Sequence, residues 1–428
     1  MKTRKMLSVL VVVAFLTICL VNMSEAQFHD GGVANCEGCH TMHNSIGNTA
    51  VLSKGGATIF KGVAYLLKGS DQSSTCINCH SGATLSSYHI FTTGSIAGVG
   101  PANYTPGGDF AWLTKSWTPV ANGATLNGQR LGHNVIAADF GLVQDPDLNV
   151  APGGTYANTN LTCISCHDPH PSARIIDNAG TIAKRTMGQA VLPISGSGSY
   201  GSLPTATEAV GVYRILGGSG YVPKSYSGGP AFTTDPPVAV APSTYNRKET
   251  ATETRVAYGK GMSEWCANCH TSIHNDSLSS AFIHPASNQA LLTSSNIAAN
   301  YNAYKKSGDL SGAQATSYTS MVPFEEGTTT IATLTTHAGA GTGSTAGPGT
   351  GTENVMCLSC HRAHATGFRF ISRWDNDSEF ITAAGAYNVG TAAGNRNNVE
   401  YTAAMYDRPA SNYATYQRSL CNKCHAKD

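Results

Sequence analysis

Six times along the chain one five-residue pattern returns: CEGCH at 36–40, CINCH at 76–80, CISCH at 163–167, CANCH at 266–270, CLSCH at 357–361 and CNKCH at 421–425. The six take up Cys36, Cys39, Cys76, Cys79, Cys163, Cys166, Cys266, Cys269, Cys357, Cys360, Cys421 and Cys424, twelve of the thirteen cysteines. Thiols three positions apart sit about one helical turn apart on one side of the backbone. The next residue, His40, His80, His167, His270, His361 or His425, brings an imidazole beside them. This is the attachment pattern of c-type haem: the thiols join the two vinyl groups of one porphyrin, and the imidazole becomes the proximal iron ligand. Zinc sites and disulfide frameworks also use cysteines. Neither explains a His after every second Cys with no motif cysteine left over. Six covalently attached haem c groups are the first constraint on the fold.

The N-terminus bears on the compartment. MKTRK gives a positive start, MLSVLVVVAFLTICLV a short apolar run, and SEA before Gln27 a small-residue cleavage site. Residues 1–26 therefore read as a secretory signal peptide, with Cys19 inside its apolar run, and 27–428 as the hexahaem domain. An uncleaved anchor fits less well, because the run is short for a full span. No later segment is apolar enough to cross a membrane, so the expected mature protein is exported and soluble. Lys and Arg number 27 and Asp and Glu 26. That balance excludes a nucleic-acid partner attracted by net charge.

First cysteines of successive motifs are 40, 87, 103, 91 and 64 residues apart, and the chain carries 46 Gly and 18 Pro. Long irregular segments follow, with the macrocycles serving as the apolar core around which they wrap. The expected fold class is mostly irregular coil with short α-helices and little β. Short helices are expected at 294–306, 311–321 and 411–425, and flexible surface loops at 195–202 and 337–354.

Nine histidines lie outside the motifs: His29, His43, His89, His133, His170, His274, His284, His337 and His364. Six irons need six distal ligands, so a complete bis-His set leaves three to spare. Methionine is the other common sixth ligand, but none is required. Three of the nine follow a proximal His by three residues: His43 in CHTMH, His170 in CHDPH and His364 in CHRAH. A residue anchored on the same side as the proximal His cannot cross the porphyrin to its opposite face. Each must serve a different haem, or none. Their occurrence on motifs one, three and five suggests haems in pairs. If each reaches back to an earlier pair, His170 and His364 have irons within the chain. His43 has none behind it and needs a neighbouring molecule or a forward-lying haem. His29 ranks lowest, being near the mature terminus. The remaining distal candidates are His89, His133, His274, His284 and His337.

Beyond the motifs, FHDGGVANCEGCHTMH, TPGGDFAW, APGGTY, GVYRILGGSGYVPKS, VAPSTYNR, GMSEWCANCHTSIHN, NVMCLSCHRAHATGF and YQRSLCNKCHAKD resemble the outer-surface hexahaem c-type cytochromes of metal-reducing bacteria, of the outer-membrane cytochrome S and cytochrome T type. The likeness covers nearly the whole mature chain and departs in loops: the family's His shortly after the second haem motif has no counterpart in CINCHSGATLSSYH, and 336–352 and 385–399 differ. It implies bis-His haems throughout and protomers joined head to tail into extracellular filaments, or nanowires, with a continuous haem stack. It also implies that His43 completes a haem of the adjacent subunit.

The expected function is extracellular electron transfer. Other multihaem cytochromes are the expected donors, and iron or manganese oxides the expected acceptors. With both faces of each iron closed there is no free site for substrate, so this is not an enzyme. A soluble monomeric shuttle shares the same haems without the inter-subunit ligand. A nitrite or oxyanion reductase needs an open or Lys-ligated iron, and no C-x-x-C-K occurs.

Overall fold

The computed structural model describes residues 36–41, 64–84, 88–116, 127–185, 191–198, 203–241, 249, 256–274, 283–294, 296–317, 320, 322–338, 348–349, 351–389 and 397–426, with four two-residue strands between 45 and 58. The expected signal peptide, His29 and His43 lie outside the described residues. Regular structure is sparse. The longest described helices, Ile297–Ala303, Ile331–His337 and Asn398–Ala404, have seven residues each. The fold class is thus mostly coil with short helices and little sheet. No described helix is long and apolar enough to cross a membrane.

Short elements need strong ends, because a helix of two turns has hardly any internal hydrogen bonds. Asn397 accepts from Glu400 N at 2.8 Å and Glu400 reaches back to Asn397 N at 3.3 Å, closing a capping box on 398–404. Asp71 accepts from Ser74 N at 2.7 Å ahead of the helix Gln72–Ile77, and its other oxygen accepts from Ala138 N at 2.7 Å. One carboxylate thereby caps a motif helix and ties it to a loop 67 residues away.

A four-stranded sheet runs in the order Ile182–Lys184, Ala173–Ile175, Ala209–Gly211, Ile194–Ser197. Its last strand overlaps the stretch expected as a surface loop at 195–202, and Ser197 is buried. The reason is close backbone approach: a Cβ at Gly198 would sit 3.1 Å from the Gly211 carbonyl. Glycine here admits pairing rather than flexibility. The expected helix at 311–321 is turns and extended chain where described, and 411–425 is helical only at its two ends.

The chain also buries more apolar surface of its own than expected. The main cluster gathers Phe110, Trp112, Phe324, Phe368, Trp374, Tyr387 and Tyr401. Smaller clusters form around Tyr213, Tyr258 and Met356 and beneath the sheet at Ile175, Val240 and Leu334. Aromatic residues supply large buried area from few positions, which suits a chain poor in regular elements.

Candidate haem sites

Each motif is one tight turn. His40 N donates to Cys36 O at 2.8 Å, His80 N to Cys76 O at 3.1 Å, His167 N to Cys163 O at 3.0 Å, His270 N to Cys266 O at 3.1 Å and His361 N to Cys357 O at 2.9 Å; in the sixth, Cys421–His425 is itself a helix. The turn places both thiols and the imidazole on one side. The twelve thiols form no disulfides.

The proximal rings are oriented by the backbone. His40 Nδ1 donates to Tyr65 O, His80 to Tyr88 O, His167 to Arg214 O, His270 to Pro152 O and His361 to Phe370 O, all at 2.8 Å. A proton held on Nδ1 leaves the Nε2 lone pair for a metal. Burial depresses the pKa of His80, His167 and His361 and keeps the rings neutral, the form that ligates.

Motifs one, three and five share a further device. The carbonyl that receives the imidazole proton comes from a pair of residues in the left-handed region: Tyr65 and Leu66 (φ 66° and 55°), Arg214 and Ile215 (both 50°), Phe370 and Ile371 (59° and 58°). None is glycine, so each position carries strain of about 1–3 kcal/mol. The same two bonds frame each turn. Thr41, Asp168 and Arg362 donate their N–H to Leu66 O, Ile215 O and Ile371 O at 2.8, 2.8 and 2.9 Å. Lys68, Gly217 and Arg373 donate theirs to Cys39 O, Cys166 O and Cys360 O at 2.9, 2.8 and 3.0 Å. Sequence reasoning missed this device. Its only trace is a large residue followed by Leu or Ile in AYLLK, YRILG and RFISR, with no Gly or Asn to flag positive φ.

Four proximal rings face a second imidazole at nearly one separation. Ring centroids are 6.1 Å apart for His40 and His170, 6.4 Å for His167 and His364, 6.1 Å for His270 and His133, and 6.2 Å for His425 and His284. Two metal–imidazole bonds of about 2.0–2.1 Å plus two ring radii of about 1.1 Å give about 6.3 Å. The pairs therefore fit one iron between each. His133 and His284 direct Nδ1 at Ala363 O (2.7 Å) and Pro285 O (2.9 Å), again leaving Nε2 free to ligate. Burial, with His270 second, lowers the His133 pKa to about 4; burial, with His167 second, lowers that of His364 to about 3.

The other candidates are placed differently. His89 bonds Thr84 O at 3.1 Å and lies against Gly82, two residues from His80, where a Cβ would fall 2.1 Å from its Cε1. His274 Nε2 is 3.4 Å from Glu264, and His337 Nδ1 is 2.8 Å from the buried carboxylate of Glu326. Among the described residues no imidazole faces His361 across a ligand gap.

The motifs follow one another in space as in sequence. Burial and then the Cys79 thiol push the Cys39 thiol up. Cys76 and Cys163 lie close enough to shift each other's thiol, and so do Cys266 and Cys357. Burial and then Cys269 raise Cys166; burial and then Cys360 raise Cys424. Junctions alternate. Second cysteines act on one another between motifs one and two, three and four, five and six; first cysteines do so between two and three, four and five. At the latter, Ser73 Oγ accepts from Cys163 N and Ser263 Oγ from Cys357 N, both at 3.0 Å.

No family model matches the chain. It is 52% identical over 419 residues, 94% of either chain, to the C-type cytochrome OmcS of Geobacter sulfurreducens. Two solved structures resemble it with a TM-score of 0.83, each across 94% of this chain and 100% of theirs. One is a cryo-EM structure of the OmcS nanowires of that organism, 50% identical; the other is its outer membrane cytochrome S filament, 51% identical. Six covalent attachment motifs, four imidazole pairs at iron-spanning distance and identity over nearly the full length agree: the chain belongs to the OmcS family of C-type cytochromes.

Proposed function

We propose that this chain is an exported hexahaem electron conductor whose copies join head to tail into extracellular filaments. Residues 1–26 direct export and 27–428 carry the haems. Haem c at each motif supplies a one-electron ferric–ferrous couple. The protein fixes the order of the motifs and holds the Nδ1 proton of five of the six proximal histidines on a carbonyl.

The observation that carries the reading is the backward step of the third-residue histidines. His170, on motif three, faces His40 of motif one; His364, on motif five, faces His167 of motif three. Continuing the rule, His43 on motif one serves the motif-five iron of a neighbouring copy. That iron's own ligand, His361, faces no other described imidazole. One rule thus accounts for both ends, and a contact between unlike surfaces propagates without closing.

The ligand set we propose is His40 with His170, His80 with His89, His167 with His364, His270 with His133, His425 with His284, and His361 with His43 of the neighbouring copy. His29, His274 and His337 stay outside it. With both faces of each iron closed, the chain carries electrons without transforming a substrate. Other multihaem cytochromes act as donors, and iron or manganese oxides as acceptors at the outer cell surface.

The test is His43→Ala, imaged by electron microscopy beside a spin-state measurement. The reading expects filaments to be lost or short, with the motif-five iron alone turning high-spin. Unchanged filaments with every iron low-spin refute the bridge. Native protein seen only as monomers, all six-coordinate, means a soluble shuttle.

A further inference from the structure

Motifs one, three and five have the same turn, the same tautomer lock and the same two framing bonds, yet differ in the charge at two matched positions. After the proximal His come Thr41, Asp168 and Arg362; at the framing position beyond the turn come Lys68, Gly217 and Arg373. Motif three thus carries an acid, offset in part by the Arg214 guanidinium that acts on His167 and His364, motif one a half-buried lysine, and motif five two buried arginines offset in part by Glu249. We propose that these two positions set the order of reduction potentials along the odd-numbered haems, with haem 3 lowest and haem 5 highest.

The charges are held beside the motifs. Arg373 Nε donates to the carbonyls of Leu358 (2.6 Å) and His361 (3.2 Å), inside the motif itself. Arg362 donates to Pro106 O at 2.9 Å and lies 3.8 Å over the Tyr406 ring. Both arginines share the Glu249 carboxylate, at 2.5 Å from Arg362 and 3.1 Å from Arg373, with side chains only 2–3% exposed. Burial opposes ionisation of Glu249, and the two guanidiniums overcome it, holding its carboxyl below the usual range. Asp168 is also buried and accepts from His170 N and Ser172 N, both at 3.0 Å.

The sign follows from Coulomb's law. Ferric haem carries one more positive charge than ferrous haem, so a nearby cation favours the reduced form and a nearby anion the oxidised form. Burial removes most of the solvent screening that would mute this at the surface. Lys68, half in solvent, acts less than the arginines. Glu249 offsets part of their effect, so it is a third handle on haem 5, of opposite sign.

The inference needs haem at these motifs but not the filament, so it stands or falls separately from the bridge. The experiment is equilibrium redox titration of the haem-loaded full chain, read at the ferrous absorption band, for Asp168→Asn, Arg362→Gln, Arg362→Lys and Glu249→Gln. A unit charge at roughly 10 Å and an effective dielectric near 20 changes the reduction equilibrium by about tenfold. Asp168→Asn should move one of six transitions toward easier reduction. A different single transition should move toward harder reduction in Arg362→Gln, toward easier reduction in Glu249→Gln, and stay in place in Arg362→Lys. Shifts of one common sign, an Arg362→Lys shift equal to that of Arg362→Gln, or no shift overturn the proposal. Loss of haem appears as lost absorbance, distinct from a shift at full absorbance. Should Arg362→Gln lose haem, Asp168→Asn, which keeps an acceptor oxygen, decides alone.

Discussion

Replacing His170 by Ala tests the ligand assignment where its geometry is simplest. The His170 ring lies 6.1 Å from that of His40 with only 14° between their planes, facing it across an iron-sized gap. Truncation opens one face of haem 1 and touches no other pair. One iron in six should therefore turn high-spin in the ferric state, and added imidazole should return it to low-spin by filling the space. The bond also closes a loop from residue 40 to residue 170. Loop-closure entropy for that length is about 5 kcal/mol, an upper bound on the stability lost, since other haem links constrain parts of the same loop. Electron paramagnetic resonance reads the spin state and guanidinium unfolding the stability. His274→Ala and His337→Ala serve as controls: each loses a glutamate contact and should leave every iron low-spin. A fully low-spin His170→Ala protein, or a high-spin signal in a control, would refute the assignment.

Two further outcomes follow from buried carboxylates. Asp109 accepts from Thr92 N (3.0 Å), Thr92 Oγ1 (2.5 Å), Asn103 Nδ2 (3.0 Å) and Ala111 N (2.8 Å); Asp109→Ala strands these donors and should cost about 3–5 kcal/mol in chemical denaturation, with an unchanged midpoint counting against the network. Glu325 is pushed from 4.5 to about 8, first by burial and then by the Glu264 carboxylate. Between those values the folded chain keeps a proton that the unfolded chain releases. Stability should therefore fall as pH rises from about 5 to 8, by a few kcal/mol at ~1.4 per unit. Glu325→Gln should flatten the slope; an equally steep slope in that variant removes Glu325 as its cause.

The site was far more legible than the fold. The motif cysteines and proximal histidines were readable because covalent haem attachment demands a short, repeated spacing. The rule that a third-residue His serves another haem needs only the side on which it is anchored, and His170 and His364 face other motifs' histidines. Long-range pairing escaped sequence reasoning because nothing local encodes it. His133 meets His270 across 137 residues, and His284 meets His425 across 141. The helices at 72–77, 331–337 and 398–404 also went unnoticed, being too short to show a period of 3.6. Capping by Asp71 and Asn397, rather than an apolar stripe, defines two of them. The supposed loop at 195–202 misled because its Gly and Ser content signals a turn, while its role is to let two backbones meet.

The strained turns argue that the odd-numbered motifs are one structural unit used three times. Six non-glycine residues in the left-handed region would be selected against unless something held each pair there. What holds them is the same in all three: two main-chain bonds to the motif and the Nδ1–H of the proximal His. A unit that repeats with a fixed step between neighbours has no internal reason to stop at three. By the alternation of junctions, after second cysteines act on one another between motifs five and six, the next contact calls for first cysteines. Cys421 at one end of the series and Cys36 at the other are both exposed first cysteines; the third exposed thiol, Cys79, is a second cysteine. In the head-to-tail contact we propose, these two first cysteines would come together as His43 reached motif five. The step that orders haems within the chain is therefore the step that would order one chain after another.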